Sequence, residues 1–137
     1  MSASAIIPTM RYHDARRMIG WLEDAFGFRP VLIVDGEDGG VAHAQLILGD
    51  AMIMIGDARD DAFGAHQQPA QRGQPVNQSA YLVVEDPDAL YESADAAGAE
   101  IVEDLTDADY GGRGFVCRDP EGQLWSFGSY DPWADAR

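Results

Sequence analysis

The stretch "RYHDARRMIGWLEDAFGF", residues 11–28, carries the signals from which the fold is read. A short strand-like run, "AIIPTMRY", ends just before Asp14, which stands where a helix N-cap would. Behind it Ala15, Met18, Ile19, Leu22, Ala25 and Phe26 fall on one helical face. Gly27 occupies the place of the left-handed glycine that ends a helix. Three strand-like segments follow: "PVLIVDGEDGG", "VAHAQLIL" and "AMIMIG".

The same order returns in "VVEDPDALYESADAAGAEI", residues 83–101. The strand is "AYLVVED", the N-cap Asp86, and Pro87 takes the favoured first helical position. Leu90, Ala94 and Ala97 form the stripe, and Gly98 closes it. Next come "EIVEDLTDADYGG", "RGFVCRD" and "DPEGQLWSFGSY", the last a tight turn opening into a strand. Asp14 and Asp86 are 72 residues apart, as are Gly56 and Gly128. The spacing predicts an α+β domain of two βαβββ modules, residues 5–57 and 79–130, that together form a curved mixed sheet around a cavity. Residues 58–78, polar and rich in Gln, Gly and Pro, read as a mobile connector or a loop over the sheet.

Twenty-four acidic residues against nine arginines give a formal net charge of −15. Such a field repels phosphate backbones and anionic lipid, which argues against nucleic-acid and membrane partners. It either serves solubility or attracts cationic small molecules. No apolar run approaches the roughly 20 residues that span a bilayer, and the N-terminal segment lacks the pattern of a secretory signal, so a cytoplasmic location is expected. A single cysteine, Cys117, excludes an internal disulfide framework. It reads as a small buried hydrophobe or as a nucleophile whose partner is not identifiable.

Two βαβββ modules with "DP-x-G" before the last strand resemble the vicinal oxygen chelate superfamily, which includes glyoxalase I, extradiol dioxygenases, fosfomycin-resistance enzymes and bleomycin-resistance proteins. The resemblance runs from Ile6 to about Tyr130 and rests on residues 11–28, 83–101 and "CRDPEGQLWSFGSY". It implies a metal site on the inner face of the sheet, with one ligand from the first and one from the last strand of each module. Carried over, those positions are Ile7, Met54, Ser79 and Ser126, and the 72-residue repeat gives the same placement. Imidazole or carboxylate donors are needed there. Isoleucine offers none, methionine a soft thioether and serine a weak neutral hydroxyl, so neither a metal nor another cofactor is expected.

Hairpin pairing extends this face. A two-residue turn at Gly49-Asp50 sets Ile47 opposite Met52, Gln45 opposite Met54 and His43 opposite Gly56. A four-residue turn at Asp119–Gly122 pairs Arg118 with Gln123 and sets Phe115 opposite Ser126 and Arg113 opposite Gly128. The expected ligand-binding wall is therefore Ile7, Thr9, His43, Gln45, Met52, Met54, Ser79, Tyr81, Arg113, Phe115 and Ser126, with Arg11 and Val83 beside it. The wall is apolar and aromatic with a few polar groups. Trp125 and Phe127 point the other way, under a helix. "YGGRGF", residues 110–115, is a flap with Arg113 at its lip or an ordinary hairpin turn.

Two functions fit. One is a metal-free small-molecule binding protein resembling bleomycin-resistance proteins, a homodimer that sequesters an antibiotic or another bulky aromatic or cationic ligand. The other is a glyoxalase-like lyase or isomerase, or a dioxygenase-like enzyme, with His43 or Tyr81 as acid-base group or a metal site elsewhere. His43 is a ligand contact in either, or a structural histidine bonded to a neighbour. A ligand-sensing or structural partner of another protein is a third option, with no motif of its own.

Overall fold

The structure is a computed structural model and describes residues 4–136. The elements follow in the order β1 (Thr9–Tyr12), α1 (Ala15–Phe26), β2 (Arg29–Asp35), β3 (Val41–Leu48), β4 (Ala51–Asp57), β5 (Ala80–Val83), α2 (Pro87–Ala96), β6 (Glu100–Asp107), β7 (Arg113–Arg118), β8 (Leu124–Gly128) and α3 (Trp133–Ala136). Two mixed four-stranded sheets result, ordered β1-β4-β3-β2 and β5-β8-β7-β6. Within each, the outer strand before the helix runs parallel to the last strand of the module and the other pairs are antiparallel. The α+β architecture with two βαβββ repeats is as the sequence pattern predicts.

The chain divides into two compact units. One holds residues up to Glu23 and Gly27–Pro69; the other holds Asp24–Phe26 and Ala70 onward. The helix boundaries follow the capping residues. Asp14 accepts from Arg17 N at 3.1 Å, and Gly27 closes α1 at φ 87°. Asp86 accepts from Ala89 N at 3.1 Å, with Pro87 opening α2. Such a cap is worth about 1 kcal/mol.

In the first unit one side of the sheet is buried: Met10 and Tyr12 of β1, Ala44 and Leu46 of β3, and Ile53 and Ile55 of β4. Ala15, Met18, Ile19 and Leu22 of α1 are buried as well. The Asp57 carboxylate fastens the helix start to the sheet, taking Ala15 N at 2.9 Å and Val41 N at 2.7 Å. In the second unit Trp125, Phe127, Phe115 and Cys117 form the buried side. Phe26 packs on this cluster, its ring centroid 5.3 Å from Trp125 and 4.6 Å from Phe127. The last turn of α1 therefore belongs to the second unit, and Ser93 Oγ of α2 donates to its Ala25 carbonyl at 2.6 Å.

The repeat is kept in the register. Thr9 pairs with Met54 and Tyr81 with Ser126; Arg11 pairs with Gly56 and Val83 with Gly128. All four partners stand 72 residues from their counterparts.

The β3–β4 hairpin pairs Leu48 with Ala51, Ile47 with Met52 and Gln45 with Met54, as expected. The β7–β8 hairpin differs. Arg118 pairs with Leu124, Val116 with Ser126 and Phe115 with Phe127. Five residues, not four, form the loop because Asp119 gathers them: its Oδ1 accepts from Glu121 N at 3.0 Å and Gln123 N at 3.1 Å, while its main-chain N donates to Gln123 O at 2.9 Å. One extra loop residue inverts the facing of all of β7.

Candidate functional site

The open side of the second sheet carries a cavity of about 460 Å³. Its floor is Tyr81, Val116 and Ser126, which share a row across β5, β8 and β7. Glu103 stands opposite Val116 on β6 and adds a carboxylate to the wall. Thr106, opposite Gly114, continues it. Register shifts on either side of Glu103 are what leave both residues on this face.

Aromatic rings form the rim. Tyr110, at the tip of the β6–β7 hairpin, meets Tyr130 edge-on at 4.9 Å between centroids. Tyr81 donates its hydroxyl proton to the Tyr130 carbonyl at 2.7 Å. Two glycines allow this closeness. A Cβ on Gly128 would lie 2.7 Å from the Tyr81 hydroxyl, and one on Gly112 would lie 2.6 Å from Tyr130 N. The "YGGRGF" segment is thus a hairpin loop seated on Tyr130, with Ala108 N donating to Gly112 O at 2.9 Å.

Burial, and after it Tyr110, Tyr130 and Asp131, raises the Tyr81 pKa above the ordinary phenol value. With its hydroxyl hydrogen-bonded to a carbonyl, Tyr81 is a poor general base. The thiol of Cys117, on the buried side, is pushed up to about 12 by burial and then by Asp119. It is therefore unreactive as a nucleophile at neutral pH.

Two expected wall residues contribute to the cavity lining, but their side chains are engaged toward α2. Phe115 is on the buried side, edge-on to Tyr91 of α2 at 5.2 Å and stacked on Phe127 at 5.4 Å. Arg113 keeps a place in the lining with its guanidinium held by two carboxylates: Nε donates to Asp88 of α2 at 2.8 Å and Nη1 to Asp107 at 3.4 Å. Both follow from the one-residue loop extension at Asp119. Val116 takes the place that Phe115 was expected to fill.

The first unit presents its own open face. Thr9, Met54 and Gln45 form one row and Leu32 continues it on β2. Met52 lies in the row beside it, opposite Ile47. His43 Nε2 is 3.0 Å from Gln45 Nε2, a bond made when the ring nitrogen accepts the amide proton. The histidine and glutamine thus satisfy each other. Arg11 lies on the same face over Gly56, where a Cβ would be 2.7 Å from its Nη1.

The family's four metal positions fall in two places. Met54 and Ser126 sit on β4 and β8, while Ile7 and Ser79 precede β1 and β5 and are exposed. One thioether, two hydroxyls and a hydrocarbon do not fit a divalent metal. Among the described residues no group of three or more His, Cys, Asp or Glu side chains is placed to hold one.

Cavity residues outside the expected wall include Glu103, Thr106, Val116 and Tyr130, together with Tyr110 from the segment read as a flap or turn. Of these, Val116 was within reach, since an Asp opening "DPEG" is suited to capturing main-chain amides beyond a four-residue turn. The bulges of β6 leave no such mark.

Residues 7–127 match the model of the Glyoxalase/Bleomycin resistance protein/Dioxygenase superfamily. An uncharacterized protein of Mycobacterium bovis is 32% identical over 126 residues, covering 90% of this chain and 82% of its own. Among solved structures, TioX from Micromonospora sp. ML1 is 30% identical with a TM-score of 0.72, over 92% of this chain and 98% of TioX. The fosfomycin resistance protein FosX from Mesorhizobium loti is 15% identical with a TM-score of 0.67 over the full length of both, a likeness of fold.

Proposed function

From its membership of the glyoxalase/bleomycin resistance/dioxygenase superfamily, to which the chain belongs, we propose that this protein is a metal-independent small-molecule binding protein. Its second-unit cavity takes a planar aromatic, cationic ligand of the kind found among antibiotics and sequesters it unchanged. The observation that carries this reading is the cavity itself: a volume of about 460 Å³ with an aliphatic and hydroxyl floor, a rim of three tyrosines and Glu103 in the wall. Tyrosine rings stack on or edge against flat ligands, and a carboxylate in a protein of charge −15 selects for a cation. The donor-poor residues at the family's metal positions support the absence of a metal step.

A cytoplasmic homodimer completes the proposal. β2 is an edge strand whose Val31, Leu32, Ile33 and Val34 are each 40–45% exposed, and a second copy would cover them. The enzyme reading is the weaker one, because Tyr81 and His43, the two acid-base candidates, are both engaged by neighbours.

The test is a thermal-shift titration of EDTA-treated protein with planar aromatic cations, beside metal analysis of the untreated protein. At 100 times its dissociation constant a ligand stabilises by about 2.7 kcal/mol. Stoichiometric Zn, Ni, Mn or Fe, or chemical turnover of the ligand, would overturn the proposal.

A further inference from the structure

Nine arginines face 24 acidic residues in this chain, so a partly buried arginine without a carboxylate partner is unexpected. Arg11 is one. Arg16, Arg59, Arg113 and Arg118 each form an ion pair with an aspartate or glutamate, but no carboxylate lies within 4 Å of the Arg11 guanidinium among the described residues. The two nearby acids are engaged elsewhere. The Asp57 side chain takes the amides of Ala15 and Val41 and offers Arg11 only its main-chain carbonyl, 3.3 Å from Nη1. Asp61 is held by Arg59 and by the amides of Phe63 and Gly64.

The Arg11 Nε–H is buried without an acceptor. A stranded charged donor is costly unless something supplies the acceptor. Glycine at position 56 leaves room for the guanidinium on this face. Arg11 and Arg59 lie 5.9 Å and 5.3 Å from the centroid of the Phe63 ring. Burial, and next the charge of Arg59, lowers the Arg11 pKa from the ordinary arginine value, and the charges of Asp57 and Asp61 oppose this only in part. A bound anion would offset both through its opposite charge.

We propose that Arg11 is an oxyanion subsite on the open face of the first unit, taking the carboxylate of a small ligand on its Nε–Nη2 edge. Nη1 is committed to the Asp57 carbonyl, which orients the guanidinium and leaves the opposite edge as a planar two-donor fork. Phe63, 44% exposed, is the aromatic neighbour of the guanidinium on this face. Met54, on the same face, supplies apolar surface for the group that bears the carboxylate. The subsite stands independently of the second-unit cavity, and failure of either leaves the other intact.

The experiment follows the Arg11 ¹⁵Nε–¹H resonance of the full chain during titration with sodium benzoate, with benzamide as the uncharged isostere and inorganic phosphate as the competing oxyanion. A saturable shift with benzoate and none with benzamide is expected. Arg11→Lys keeps the charge but not the fork; read on neighbouring amide resonances, it should weaken benzoate at least about tenfold. Phe63→Ala, which uncovers the guanidinium, should hold or strengthen binding. Equal shifts with benzamide, tighter binding of phosphate than of benzoate, an unchanged affinity in Arg11→Lys, or loss in Phe63→Ala equal to that in Arg11→Lys would each overturn the proposal.

Discussion

Replacing Asp119 by alanine should cost more stability than any other substitution in the β7–β8 loop. Its carboxylate is 4% exposed and receives three donors: Glu121 N at 3.0 Å and Gln123 N at 3.1 Å on Oδ1, and Trp125 Nε1 at 3.1 Å on Oδ2. Glu121 and Trp125 are buried, so at least two of those donors lose their acceptor with no water to replace it. At about 1–3 kcal/mol for each of two stranded buried donors, Asp119→Ala loses roughly 2–6 kcal/mol. Asp119→Asn keeps one oxygen for the two amides but sets its NH₂ against the indole N–H, for roughly 1–3 kcal/mol. Urea denaturation reads both, with the midpoint falling by roughly 1–3 M for the alanine variant. The double variant Asp119→Ala/Trp125→Phe should be less damaging than the sum of its parts by about 1 kcal/mol, since the indole donor is gone. A loss below about 1 kcal/mol for Asp119→Ala would refute the role given to this side chain, and with it the reason offered for the five-residue loop.

Other expectations follow from the same geometry. Cys117 is fully buried and its pKa is raised from an ordinary 9.0 to about 12. The unfolded chain therefore releases this proton first, and stability should fall by about 1.4 kcal/mol per pH unit between about pH 9 and pH 12. That slope should be absent from Cys117→Ala in alkaline denaturation curves. Gly112→Ala meets both a φ of 77° and a 2.6 Å approach to Tyr130 N, whereas Gly39→Ala meets a φ of 78° with nothing within 4 Å. The first should cost roughly 2–4 kcal/mol and the second about 1 kcal/mol in the same urea assay. Arg113→Ala removes exposed ion pairs of a guanidinium already committed to Asp88 and Asp107, so ligand affinity in calorimetric titration should change by less than about twofold.

The modules were legible because their signals are local. Asp14 with Gly27, and Asp86 with Pro87 and Gly98, mark helix ends through backbone chemistry that operates within a few residues. Gly49-Asp50 likewise set the β3–β4 register, and with it the shared face of His43, Gln45, Met52 and Met54. The second face was read less well because its register depends on the Asp119 side chain reaching main-chain amides two and four residues away. That single choice turned the Phe115 and Arg113 side chains toward α2 and brought Val116 into the row of Tyr81 and Ser126. Glu103 and Thr106 reach the cavity through bulges in β6, and Tyr130 through the close approach of Gly112. Neither feature has a period in the sequence.

The most direct measurement is calorimetric titration of the EDTA-treated protein with proflavine, a planar aromatic cation, in wild type and in Val116→Trp, which fills the cavity floor. Saturable binding at one site per chain is predicted, weakened at least about tenfold in Val116→Trp and unaffected by added divalent ions. Binding that appears only when a divalent metal is restored, or that Val116→Trp leaves unchanged, would contradict the account.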